Sequence, residues 1–196
     1  MQYPNVYKFN YDFQTEELLE DYNKRIEKGM AYRYLAGENY EDRKVEEADA
    51  NYSKTTVVKV KNGIAHKIAK EFVRKHHGEE FICHYISYGS DDFVEWHTDK
   101  RPAEYCENAS RVNVFLTGES YTTFRDGDHK YESAVVNVMG AEHKYDNRGK
   151  GHRVMFQIGI KGMNHDKFCE NILQRSTLEW LAFWFRISFW LGNKIP

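Results

Sequence analysis

From residue 81 to residue 160 the chain is written in a two-residue rhythm broken by turns. No other feature constrains its fold as much. Arg111, Asn113 and Phe115 alternate with Val112, Val114 and Leu116; Arg153, Met155 and Gln157 alternate with Val154, Phe156, Ile158 and Ile160. Successive side chains of an extended strand point to opposite faces, so each run builds a strand with two different surfaces. Residues 81–88, 93–99, 121–124, 130–131 and 134–139 read the same way. Gly89–Asp92, Gly118, Arg125-Asp126-Gly127-Asp128, Gly140 and residues 147–151 supply the turns between them. Further strands are expected at 6–9, 31–35 and 55–60. Two stretches ahead of the rhythm follow three-to-four spacing instead. Residues 15–28 carry Leu18, Leu19, Tyr22 and Ile26 and stop at Gly29. Residues 63–77 carry Ile64, Ala65, Ile68, Ala69, Phe72 and Val73, with Asn62 as N-cap and Gly78 as C-cap. Short strands with regular turns, preceded by helices, predict a mainly β fold with supporting helices (α+β). The architecture would be a double-stranded β-helix, or jelly roll, with helices packed on one sheet.

The residues that carry chemistry fall inside this rhythm. His97-Thr98-Asp99 closes one strand, so positions 97 and 99 share a face and can chelate one ion while Thr98 turns away. Two imidazoles and one carboxylate on one face are the ligand set of a non-haem Fe(II) that activates oxygen, because three positions stay open. The third ligand should come from a distant strand, and His143 lies just after the segment that ends at Gly140. Arg153 opens a strand ten residues later; its planar guanidinium matches a carboxylate in two parallel hydrogen bonds. A lone His-x-Asp is weak, since roughly 0.5 such pairs are expected by chance in a chain of this composition. Taken alone, His97 and Asp99 would read as a surface histidine beside an acid. The order His-x-Asp, strands, His, then Arg is what points to a metal centre. His152 is the rival third ligand, but no arginine lies ten residues beyond it. Arg111 faces inward in this pattern, which is costly without an anion; either a bound dicarboxylate or a nearby Asp or Glu would satisfy it. Tyr85 reads as ordinary aromatic packing, His129 as an exposed turn residue, and His76-His77 as favourable charge at a helix C-terminus.

His97-Thr98-Asp99, the run Ser110-Arg111-Val112-Asn113-Val114-Phe115-Leu116, and His143-x-Tyr145-x-Asn147 followed by Arg153 resemble the Fe(II)/2-oxoglutarate-dependent oxygenases. Within them the text is most similar to the aspartyl/asparaginyl β-hydroxylase branch. The resemblance covers about 80 of the 196 residues. It implies Fe(II) held by His97, Asp99 and His143, with O2 and 2-oxoglutarate as cosubstrates. It implies 2-oxoglutarate contacts from Ser87, Arg111 and Arg153. The implied activity is hydroxylation of an unactivated C–H of an amino acid, a peptide or protein side chain, or another small substrate, with succinate and CO2 as coproducts.

Composition narrows the alternatives. The net charge of −2 and an isoelectric point near 6.5 provide no basic field, which weighs against nucleic acid as partner. The mean hydropathy is −0.78. Three scattered cysteines, Cys83, Cys106 and Cys169, without a CxxC pair argue for reduced thiols and a cytoplasmic chain. Residues 1–162 are expected to form one oxygenase domain, with 163–196 as a helical appendage. Residues 37–54 are charged and aperiodic, as in a surface loop or a lid, and 100–109 read as a loop beside the metal. In the appendage, helices are expected at 163–173 and 176–191. The second is apolar almost all round, and such a helix is seldom left in water. Core burial, a homodimer contact, a membrane-surface contact or a docked partner would each cover it. Two other function classes fit the text: a non-oxidative, cupin-like metal protein, and a membrane or partner-docking module built on the C-terminal helix.

Overall fold

The alternating segments form antiparallel strands, and their pairing decides which face of each strand meets which layer. The structure is a computed structural model describing residues 2–34, 55–90, 92–99, 109–148 and 150–192; for 32–34 and 183–192 it gives the backbone course. The expected loop at 37–54, residues 100–108 of the one expected at 100–109, and Cys106 lie outside the described residues. In chain order the elements are β1 (Val6–Lys8), α1 (Thr15–Glu27), β2 (Tyr32–Tyr34), β3 (Thr55–Val60) and α2 (Gly63–Lys75). Then follow β4 (Phe81–Tyr88), β5 (Phe93–His97), β6 (Ala109–Thr117), β7 (Tyr121–Phe124) and β8 (Gly127–Lys130). The last are β9 (Ser133–Val136), β10 (His143–Asp146), β11 (Arg153–Lys161) and α3 (His165–Gly192).

Two sheets result, a larger one in the order β1-β9-β6-β11-β4-β3-β2 and a smaller one in the order β5-β10-β7-β8. From β4 to β11 the chain passes back and forth between the sheets, which is the winding of a double-stranded β-helix. Strands β1 and β3–β2 extend the larger sheet at its two edges.

The period-two alternation sorts the two faces of the larger sheet into two cores. On one face Val112, Val114, Phe156, Ile158 and Ile160 meet Leu18 and Tyr22 of α1, Phe72 and Val73 of α2, and Phe168, Cys169 and Ile172 of α3. On the other face Phe115, Val136 and Met155 meet Phe124 of the smaller sheet. Burial of each such aliphatic or aromatic side chain stabilises by roughly 1.5–3 kcal/mol. Tyr85 belongs to the helix side, where its hydroxyl donates to Asp21 Oδ2 at 2.9 Å. The same carboxylate accepts from Arg25 Nε at 2.7 Å, and Arg25 Nη2 donates to the Asn62 carbonyl at 2.7 Å. Asn62 thus stands at the start of α2 without a side-chain cap, and Ile64 lies outside the buried stripe.

Several expectations are corrected. At the end of α2 the left-handed residue is His77, with φ of 62°, not Gly78. Gly78 is required for a different reason: its N–H donates to the Val73 carbonyl at 2.9 Å, and a Cβ there would lie 2.5 Å from Val73 Cγ1. Residues 143–146 form a strand of their own, and β9 ends at Val136 rather than at 139. The two helices expected at the C-terminus are one helix of 28 residues. Its first turns enter the core, whereas Leu173, Leu178, Trp180 and Leu181 beyond them are exposed. No helix among the described residues is long and apolar enough to cross a membrane.

Candidate metal centre and anion pocket

The smaller sheet carries the centre. Strands β5 and β10 pair antiparallel, with His143 directly opposite His97. Asp99 follows β5, and its backbone N–H donates to the Val138 carbonyl at 2.9 Å, which ties it to the turn after β9. Residues 46 apart in sequence are thereby brought to one point by a strand pair and one loop anchor. One donor atom each from His97, Asp99 and His143 fits within 4.8 Å. Asp99 Oδ1 lies 3.5 Å from His97 Nε2 and 3.7 Å from His143 Nε2.

The imidazoles are oriented by backbone. His97 Nδ1 lies 2.7 Å from the Glu95 carbonyl oxygen, and His143 Nδ1 lies 3.3 Å from that of Ala141. With Nδ1–H donating to a carbonyl, Nε2 is the nitrogen that faces the carboxylate and, once deprotonated, the one that can ligate a metal. Burial alone would raise the Asp99 carboxyl. The bond from His97 and the charges of His143 and Arg111 outweigh it and hold the group well below the usual carboxylate range. Burial pushes His143 down to about 4. Burial also pulls on His97, but its bonds to Asp99 and to the Glu95 carbonyl prevail, so it titrates above its ordinary 6.5. His152, the rival ligand, is exposed. His129 is half-buried rather than exposed, with Nε2 2.9 Å from Asp126 Oδ1.

Arg153 is completely buried on the face of β11 that looks toward the smaller sheet. Its guanidinium carbon lies 4.8 Å from the ring centre of Tyr88, 5.2 Å from Tyr121, 5.4 Å from Tyr145 and 5.5 Å from Phe115. Nη1 donates to the carbonyls of Glu119 and Tyr121 at 3.3 and 3.4 Å. Nε and Nη2 have no hydrogen-bond partner among the described residues. A buried cation in an aromatic box with two donors unused has the chemistry to receive an anion. The Tyr145 ring connects it to the metal centre, lying 5.6 Å from the His143 ring.

Ser87 sits otherwise than the resemblance implied. Ser87 pairs across the sheet with Val154 and Thr56, so its side chain shares the helix-side face with Val154 and points away from Arg153. It is buried but belongs to the opposite layer. Arg111 does face the smaller sheet, yet its Nε lies 3.8 Å from Asp99 Oδ2.

Sequence reasoning missed a polar network beside the pocket. Gln157 Nε2 donates to Asn113 Oδ1 at 2.9 Å, and Asn113 Nδ2 donates to Tyr131 OH at 3.2 Å and Tyr145 OH at 3.3 Å. The Thr122 hydroxyl lies 2.5 Å from that of Tyr131. The face shared by Asn113 and Gln157 was legible from alternation; Thr122 and Tyr131, in a short hairpin, gave no sign. Asn113→Leu is expected to destabilise the fold by roughly 1–3 kcal/mol for each buried group it strips of a partner. A urea midpoint equal to that of the unsubstituted protein would contradict this.

No protein-family model matches the sequence, and no curated protein matches it. Solved structures do. A prolyl hydroxylase from Trichoplax adhaerens, in complex with a hypoxia inducible factor peptide, aligns at a TM-score of 0.56 with 11% identity, over 84% of each chain. A Pseudomonas putida prolyl-4-hydroxylase aligns at 0.51 with 14% identity, over 80% of this chain and 89% of that one. The viral collagen prolyl hydroxylase of Paramecium Bursaria Chlorella virus-1, as its 2-oxoglutarate complex, aligns at 0.51 with 13% identity, over 82% and 97%. The chain has the fold of these oxygenases.

Proposed function

We propose that this chain is an Fe(II)- and 2-oxoglutarate-dependent oxygenase that hydroxylates an unactivated C–H of an amino acid or of a peptide or protein side chain. The observation that carries the reading is the pairing of two incomplete sites: a His-Asp-His cluster with its Nε2 atoms aimed inward, and a buried guanidinium with two idle donors on the far side of Tyr145. The shared fold of the prolyl hydroxylases supports it. The aspartyl/asparaginyl branch is the nearer pattern in sequence, although Ser87 does not contribute to it here.

The donor set fits the ion: two neutral imidazoles and one carboxylate leave room for a bidentate cosubstrate and O2. His97, Asp99 and His143 would hold Fe(II). Bound Fe(II) supplies the oxidative decarboxylation of 2-oxoglutarate coupled to C–H hydroxylation. The chain's own part is positional. Arg153 Nε and Nη2 grip the distal carboxylate of 2-oxoglutarate. Tyr88, Tyr121, Tyr145 and Phe115 exclude water from that ion pair, which strengthens it. The Glu95 and Ala141 carbonyls hold the imidazoles in register.

Anaerobic titration with Fe(II) and then 2-oxoglutarate tests the reading, through the visible metal-to-ligand charge-transfer band. Its absence at saturating concentrations of both would overturn the proposal. A non-oxidative metal protein would bind the ion but form no succinate from 2-oxoglutarate in air. The pH dependence has a defined sign. His97 must lose a proton to bind metal and titrates above 6.5, so affinity rises with pH until His97 is deprotonated and then levels off. His143, already neutral there, adds no slope. Calorimetry in buffers of different ionisation enthalpy should therefore find up to one proton released per ion near pH 6.5, and none at high pH.

A further inference from the structure

We infer that Arg111 is a positioning residue that commits Asp99 to binding the metal through a single oxygen, and that Gly159 exists to give its guanidinium room. The inference rests on the metal reading above and adds a role for two residues of β6 and β11. The two carboxylate oxygens of Asp99 are not equivalent. Oδ1 faces both imidazoles, at 3.5 Å from His97 Nε2 and 3.7 Å from His143 Nε2. Oδ2 faces Arg111 Nε at 3.8 Å. One oxygen thus faces the two imidazoles and the other faces a buried cation, at ion-pair rather than hydrogen-bond distance.

The guanidinium lies beside Gly159, where only a residue without a side chain leaves it room. Arg111 is 3% exposed and pairs across the sheet with Val136 on one side and Gly159 on the other. A Cβ at 159 would clash with Arg111 Nη1 and would lie 3.1 Å from Arg111 Cζ. Every other position of β11 from Val154 to Ile160 carries a side chain, so glycine is the exception there and sits beneath the guanidinium. Asp99 belongs to the segment leaving the smaller sheet, so the pair also spans the two sheets at the metal end.

The chemical consequence follows from ligand counting. A carboxylate that turns both oxygens to the ion takes one of the three positions that the cosubstrate and O2 require. Facing Oδ2 toward a buried guanidinium makes that turn costly, because it draws the carboxylate's charge away from the cation.

The test uses the full chain and Co(II) as the spectroscopic ion, followed by 2-oxoglutarate. In Arg111→Met, and equally in Gly159→Ala, Co(II) binding is retained. Its d–d spectrum shifts with the change of aspartate mode, and 2-oxoglutarate affinity of the Co(II) protein falls by roughly 10–100-fold, the range typical of outer-shell changes at metal sites. Arg111→Lys restores part of the loss. If Arg111→Met does not fold, Gly159→Ala carries the test alone, since it displaces a side-chain end rather than the strand. The double variant should be no worse than either single one. Unchanged Co(II) spectra and 2-oxoglutarate affinity in Gly159→Ala would overturn this inference and leave the metal reading standing. Failure of the unsubstituted protein to bind Co(II) would overturn both.

Discussion

His143→Ala is expected to abolish stoichiometric Fe(II) binding while leaving the fold intact. The side chain is buried, lies opposite His97 in the strand pair, and supplies the one ligand that comes from a separate strand. Without it the remaining pair, His97 and Asp99, is a two-point chelate at a strand end of the kind common on protein surfaces. Changes to groups that only orient ligands cost about 10–100-fold in metal affinity, so loss of a ligand should exceed that range. The imidazole packs against the rings of Phe124 and Tyr145, and its removal leaves a small void. The melting temperature should therefore drop by only a few degrees, as for a modest core truncation. Equilibrium dialysis with Fe(II) under nitrogen, beside a thermal melt, separates the two effects. A variant that still binds one ion tightly would remove His143 from the centre.

Arg153→Met should show the opposite pairing of effects: binding of 2-oxoglutarate lost, stability kept or increased. The two idle donors would make charge-assisted bonds worth about 1.5–3 kcal/mol each, so their loss weakens the cosubstrate by about 100-fold or more. In the ligand-free protein the same guanidinium is a buried charge with two unsatisfied nitrogens. An apolar side chain of similar volume in such a place is often neutral or stabilising. Tyr88, Tyr121, Tyr145 and Phe115 already form an apolar wall for it. Metal affinity should hardly change, because Arg153 contacts none of the three ligand residues directly. Thermal melts with and without 2-oxoglutarate, on Fe(II)-loaded protein under nitrogen, read both halves of the prediction. Strong destabilisation of the ligand-free variant would make Arg153 a structural residue instead.

What the sequence determined by itself is what depends on near neighbours. Two-residue alternation assigned the faces of β6 and β11, because the pleat sets side-chain direction one residue at a time. That is why Arg111, Asn113 and Phe115 were legible as one row and Val112 and Val114 as the other. The same rule predicted positions 97 and 99 on one side, but β5 ends at His97, and the bond from the Asp99 N–H to the Val138 carbonyl is what places the carboxylate. The three-to-four spacing placed α1 and α2, since an apolar stripe is a property of a single helix.

Tertiary structure decided whatever depends on which strand lies beside which. Ser87 alternates as faithfully as its neighbours, yet alternation cannot say which of its two faces is the cavity. Its pairing with Val154 turned it to the helices. Arg111 read equally well as a cosubstrate contact or as half of an ion pair, until the loop after β5 brought Asp99 to it. The network of Thr122, Tyr131, Asn113 and Gln157 joins three strands, β7, β6 and β11, and the turn after β8, which no local pattern links. At the C-terminus a break between two apolar helical stretches was expected, but Arg175 bonds Glu179 one turn on and Lys75 of α2 meets the same carboxylate, so α3 runs through. Side-chain direction is a short-range consequence of backbone geometry. Partners are chosen by strand register and loop closure, whose energies are summed over contacts far apart in the chain.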